Sequence, residues 1–147
     1  MHYAVLRYFI GRFLSCYIEN TDFCRKGRII FMKILILNSS PRRNGNISKM
    51  LEAMKQEIEC CNAEAVYVRV PELKVRPCIG CMKCRSSLRC CLPEDDAQRV
   101  LQSIRDADAL IIGAPCYWGN MPGTLKVLFD RMVYGMMGEN SMGIPLP

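Results

Sequence analysis

Histidine is almost missing from this chain: among 147 residues, only His2 is one. That scarcity excludes a serine–histidine–acid triad and histidine-bound catalytic zinc, both of which need an imidazole within the fold. The G-x4-G-K-[ST] phosphate loop is missing, and so is the G-x-G-x-x-G dinucleotide fingerprint. No cysteine has an arginine six positions downstream, which excludes a phosphatase-type cysteine loop. No apolar run reaches the roughly 18 residues of a membrane helix, so no membrane span is expected. The net charge is +6, but the basic residues are scattered. Nucleic-acid binding would need a basic stripe with stacking aromatics, so no nucleic-acid partner is expected.

What is present is apolar residues and cysteine. Apolar residues make up 50% of the chain, enough for the core of one domain. Of the 10 cysteines, Cys78, Cys81, Cys84 and Cys90 form a C-x2-C-x2-C-x5-C run, with Cys91 next to it. Thiols at every third residue pair poorly as disulfides but can wrap around one compact centre. Closely spaced runs of this kind hold iron–sulfur clusters. Structural zinc more often uses two C-x2-C pairs separated by a longer stretch. The other reading is a loop of free thiols. Both readings require reduced cysteines, and a cytoplasmic protein is expected.

Residues 1–31 differ from the rest. They hold seven of the twelve aromatics, and Arg7 and Arg12 interrupt their apolar stretch. They read as an N-terminal extension outside the fold, with the domain running over 32–147. From Lys33 the pattern is regular. Ile34 to Leu37 form a continuous apolar run, as in a parallel strand buried on both faces. Ile47, Met50, Leu51, Met54 and Ile58 mark one helix face. A second strand is expected at about 65–70, ended by Pro71. Acidic Glu94, Asp95 and Asp96 announce a helix with Ala97, Val100, Leu101 and Ile104 inward. Residues 109–114 read as a third buried strand, and Leu125, Leu128, Phe129 and Met132 mark a third helix. Alternation of strand and helix predicts an α/β, doubly wound parallel sheet.

In such sheets, ligands bind at the carboxyl ends of the strands. The loop after the first strand holds Ser39, Ser40, Arg42, Arg43, Asn44, Gly45 and Asn46. Hydroxyls, amides and free backbone N–H groups at a helix start suit a phosphate. Taken alone, it reads equally well as a polar turn with an asparagine cap. The loop after the third strand, A-P-C-Y-W-G-N-M-P-G at 114–123, shifts that balance. Tyr117 and Trp118 suit a flat ring, and Gly119 and Asn120 its polar edge. Cys116 beside them reads as a small packing residue.

Residues 33–47, K-I-L-I-L-N-S-S-P-R-R-N-G-N-I, resemble the opening of the NADPH-dependent FMN reductase family. Residues 114–131 resemble that family's flavin-ring loop and following helix. The cysteine run is similar to that of the iron–sulfur flavoproteins of the same flavodoxin-like group. The resemblance implies FMN held at its phosphate by Ser40, Arg42, Asn46 and the amide of Ile47. It implies Pro115, Tyr117, Trp118, Gly119 and Asn120 along the isoalloxazine ring. It also implies Cys78, Cys81, Cys84 and Cys90 as ligands of a four-iron four-sulfur cluster. NAD(P)H is the implied electron donor, with a redox partner protein as one acceptor and a homodimer or homotetramer as the assembly. The sequence departs from the family at Ile47, where threonine is usual, with Ser48 one position late. It also shows three strands where the family's sheet has five, which reads as a domain incomplete at its C-terminus.

Overall fold

The computed structural model describes residues 32–87 and 89–136. The extension expected at 1–31 lies outside the described residues, as do 137–147. The elements are β1 (Lys33–Asn38), α1 (Asn46–Cys60), β2 (Glu64–Arg69), a short 3-10 turn (Val70–Glu72), α2 (Cys84–Ser87), α3 (Asp96–Arg105), β3 (Ala109–Gly113) and α4 (Gly123–Met136).

The strands form one parallel sheet in the order β2-β1-β3. Leu35 sits opposite Val66 on one side and Leu110 on the other. This is the strand order expected where a flavodoxin-like fold reverses direction. β1 is central, and its Ile34 to Leu37 are buried. Their alternation feeds two cores. Leu35 and Leu37 pack with Val100 and Leu101 of α3 and with Leu125, Leu128 and Met132 of α4. Ile34 and Ile36 pack on the opposite face with Leu51 and Ile58 of α1. Helices on both faces of a parallel sheet make the expected doubly wound α/β layering.

Two details differ from the expected pattern. Met50, expected on the buried face of α1, is 58% exposed. At 3.6 residues per turn it lies about 80° away from the line through Ile47, Leu51 and Ile58. β3 was expected to be buried on both faces, but Leu110 and Ile112 are exposed. Ala109 and Ile111 pack toward α1, whereas α3 and α4 lie over β1 and over Val66 and Val68 of β2. Among the described residues, no helix is long and apolar enough to cross a membrane.

Candidate functional site

The turn between β1 and α1 is held from beneath by a buried amide. Asn38 ends β1 with no solvent exposure. Its Nδ2 donates to Ser48 Oγ at 2.9 Å and to Tyr67 Oη at 2.7 Å. Its Oδ1 accepts from the Ser40 N–H at 2.8 Å. Ser48 Oγ then donates to the Arg42 carbonyl at 2.8 Å. The Ser39 N–H donates across to the Gly113 carbonyl at 2.8 Å, tying the turn to the end of β3. Ser48 is thus committed to the turn and is unavailable to replace a missing threonine hydroxyl.

The top of this turn is open. Gly45 precedes α1 in extended conformation, with no side-chain cap and no acidic residue in the first turn. The first intrahelical bond runs from the Lys49 N–H to the Gly45 carbonyl at 3.0 Å. The N–H groups ahead of it have no intrahelical partner, and the helix dipole makes that end positive. A Cβ on Gly45 would meet Arg42 Cβ at 3.1 Å, so a bare backbone suits this position. Arg43 is paired with Glu72 at 2.8 Å, whereas Arg42 is exposed with no ion pair among the described residues. An anion placed here would meet free N–H groups, a cation and no competing carboxylate.

The loop after β3 closes as a tight turn. Tyr117 and Asn120 exchange both backbone hydrogen bonds, at 2.8 and 2.9 Å. Trp118 and Gly119 at its tip have φ of 50° and 76°. Two successive positive φ values are the mark of a type I′ turn, in which glycine is at ease and tryptophan is strained. Trp118 is fully exposed and Tyr117 half so. Cys116 is also exposed, which corrects its reading as a packing residue.

Ser40, Arg42, Asn46, Ile47, Pro115 and Tyr117 line one cleft of about 640 Å³. The two loops that the sequence suggested for a phosphate and a ring therefore meet at one sheet edge. Trp118, Gly119 and Asn120 belong to the same turn but do not line the cleft. Gly113 makes the meeting close. A Cβ there would fall 2.4 Å from Leu51 Cδ1 and 2.9 Å from Ile47 Cγ2, so α1 packs directly on the β3 backbone.

The cysteine segment is built differently. Its base is stapled shut by backbone and carboxylate contacts. Lys74 and Arg76 donate their N–H groups to Asp96 Oδ2 at 2.7 Å and to Asp95 Oδ2 at 3.1 Å. Arg131 of α4, 1% exposed, donates from Nη1 to the Arg76 carbonyl at 2.8 Å and to Asp95 Oδ2 at 2.7 Å. Burial pushes the Asp95 carboxyl upward, but the Arg76 and Ala97 N–H groups and then Arg131 hold it below the usual carboxylate range. Burial likewise disfavours the Arg131 charge, and the Asp95 hydrogen bond and carboxylate, followed by Cys90, raise its pKa above the ordinary value. Asp95 also caps α3 in a reciprocal box with Gln98.

Beyond that staple the loop is open. Cys78, Cys81 and Cys91 are exposed, and Cys84 and Cys90 half-buried. All five line one cavity of about 250 Å³ together with Arg131. Gly80 and Met82, with φ of 64° and 59°, curl the chain around it. Within the cavity, Cys81 Sγ faces Cys91 Sγ at 3.2 Å, not Cys90. The Lys83 N–H and then the Cys91 contact lower the Cys81 pKa, and the same contact raises that of Cys91. Among the described residues, no three His, Cys, Asp or Glu side chains converge closely enough to hold a single metal ion. The donor set still suits a soft, many-valent group: it is all thiol and shares one cavity. At the cavity's wall Arg131 Nε and Nη2 are buried without a hydrogen-bond partner.

Four of these residues have roles that the sequence did not show, although Ser48 and Asp95 stood out in it for other reasons. Asn38 and Ser48 hold the turn, and Asp95 and Arg131 close the loop. Asn38 did carry a signal: it is a polar residue directly after an apolar strand core, where the strand meets its ligand loop.

Residues 32–143 match the family described as NADPH-dependent FMN reductase. An iron–sulfur flavoprotein of Archaeoglobus fulgidus is 34% identical over 74% of this chain and 52% of its own length. One from Methanosarcina thermophila is 36% identical over 69% of this chain and 53% of its own. An FMN-dependent NADH:quinone oxidoreductase of Stenotrophomonas maltophilia is 31% identical over 69% of this chain and 52% of its own. The chain spans about half the length of these curated relatives. A phosphate-ready turn and an aromatic turn sharing one cleft on a β2-β1-β3 sheet agree with that match, and the chain belongs to the NADPH-dependent FMN reductase family.

Proposed function

We propose that this chain binds FMN in the cleft between the two loops and serves as an NAD(P)H-dependent flavin oxidoreductase. The observation that carries the proposal is the single cleft of about 640 Å³ lined by residues of both turns. The phosphate takes the open N-terminus of α1, with N–H groups of Asn46 and Ile47 and the hydroxyl of Ser40 as donors. Arg42 adds charge from the rim. Asn38 fixes the turn from below, so the donors are aimed before the ligand arrives. The ring lies along Pro115 and Tyr117, with Trp118, Gly119 and Asn120 closing over its outer side. Bound FMN supplies acceptance of a hydride from reduced nicotinamide and release of electrons one at a time. No acid–base side chain is required of the protein, in keeping with the near-absence of histidine.

Cys78, Cys81, Cys84 and Cys90 are the proposed ligands of a four-iron four-sulfur cluster that carries single electrons onward. Their all-thiol cavity supports this, and so do the names of the iron–sulfur relatives. The assembly is a homodimer or homotetramer, which would cover the exposed Trp118 turn.

Fluorescence titration with FMN tests the first step. Saturable quenching by FMN, with weaker quenching by riboflavin, is the expected result. A protein that leaves FMN fluorescence unchanged would overturn the reading and point to a chain without flavin function. NADPH oxidation in the loaded protein then separates a reductase from an electron carrier fed by another protein: the carrier shows no turnover. Iron and acid-labile sulfide after anaerobic reconstitution test the cluster independently of the flavin.

A further inference from the structure

Cys91 is a fifth thiol in a cavity whose proposed cluster needs four. Its Sγ lies 3.2 Å from Cys81 Sγ, against about 2.05 Å for a covalent disulfide. The two sulfurs need move only about 1 Å toward each other to bond. Neither cysteine belongs to a strand or a helix of the described structure, and the left-handed Met82 follows Cys81 directly. Both thiols are exposed, so a dissolved reagent can reach either one. Lys83, Arg85 and Arg89 stand exposed on the same segment, with no ion pair to an acidic side chain among the described residues. Arg85 and Arg131 line the cavity with the thiols against one carboxylate, Asp130, which is itself paired with Lys126, so positive charge is in excess there.

We infer that Cys81 and Cys91 form a thiol–disulfide exchange site whose substrate is a small anionic disulfide of the oxidised-glutathione type. Cys81 sulfur, as thiolate, attacks one sulfur of the small disulfide. The small S–S bond breaks, a mixed disulfide forms at Cys81, and one small thiol leaves with a proton. Cys91, losing its proton, attacks Cys81 sulfur. The Cys81–Cys91 bond forms and the second small thiol leaves. Two protein thiols are oxidised, one small disulfide is reduced to two thiols, and no other oxidant takes part. The same bond takes Cys81 out of the proposed ligand set, so the closed pair and a cluster exclude each other. The inference stands on the sulfur–sulfur approach alone and does not need the cluster reading.

The test uses the reduced, metal-free chain, oxidised glutathione as probe, and peptide mapping by mass spectrometry. The expected product is a Cys81–Cys91 cross-link in wild-type protein, retained in Cys90→Ser. In Cys91→Ser the cross-link is lost and glutathione stays on Cys81. Cross-linking of Cys81 to Cys78, Cys84 or Cys90 in the wild type would overturn the inference. So would glutathione persisting on Cys81 in the wild type as fully as in Cys91→Ser. A protein that takes up no iron on reconstitution would end the cluster reading but leave this result standing.

Discussion

The β1–α1 turn and the cysteine loop are both candidate ligand sites, yet they are held in opposite ways. The turn is fixed throughout. Asn38 alone satisfies Ser40, Ser48 and Tyr67, and Ser48 passes the constraint on to Arg42. Among the described residues, the cysteine loop is tied to the rest of the fold at its base, by Asp95, Asp96 and Arg131, and its thiols sit beyond that staple. A preorganised turn suits a ligand that is bound and released intact, because little ordering cost falls on the binding step. An open loop of thiols suits a group that brings its own bonds and orders the loop as it forms.

Breaking the staple should have the largest effect. Arg131→Met leaves Asp95 partly buried without its cation and the Arg76 carbonyl without a donor. We expect a loss of about 3–5 kcal/mol in urea unfolding, typical of a severed buried pair. Asn38→Ala breaks the turn instead. It removes the partner of the buried Ser40 N–H and of the half-buried Tyr67 hydroxyl and one of the two bonds of buried Ser48, and should cost about 2–3 kcal/mol, with FMN quenching lost and iron uptake retained. If both variants damage flavin and iron binding equally, the two regions are not independent. Gly113→Ala pushes a Cβ into Leu51 and Ile47. It should destabilise by about 1–3 kcal/mol and weaken FMN through a displaced α1.

The staple also predicts a pH dependence. Asp95 is held below its ordinary value, so its contribution is fully present above about pH 4 and is lost as pH falls through the depressed folded pKa. Stability followed by circular dichroism between about pH 5 and 2 should decline less steeply in Asp95→Asn than in wild type. The smallest expected change separates strain from function. Trp118→Gly relieves a left-handed tryptophan and should raise stability by about 1 kcal/mol while weakening FMN. Stability gained with no change in FMN affinity would remove Trp118 from the flavin site.

Much of this was legible in the sequence. The apolar run of Ile34 to Leu37 showed a strand buried on both faces, because only a central parallel strand tolerates that composition. The Glu94–Asp96 signal located the start of α3, where Asp95 does cap the helix. Leu110 and Ile112 misled, since an apolar run reports what a strand can bury and not what lies over it. Arg131 was silent for a related reason. A lone arginine in a helix reads as surface, and only packing reveals it 55 residues away against the Arg76 carbonyl.

By itself, the sequence determined the alternation of strands and helices, the two ligand loops and the thiol spacing, since each depends on neighbours within a few residues. Tertiary structure alone decided that both loops line one cleft, that Asn38 anchors the turn, and that Cys81 faces Cys91 across the cavity. Most of those pairings reach past one turn of helix or one step of strand, 10 residues for Cys81 and Cys91 and 29 for Asn38 and Tyr67. They are selected by burial and by hydrogen-bond satisfaction, which no local pattern records.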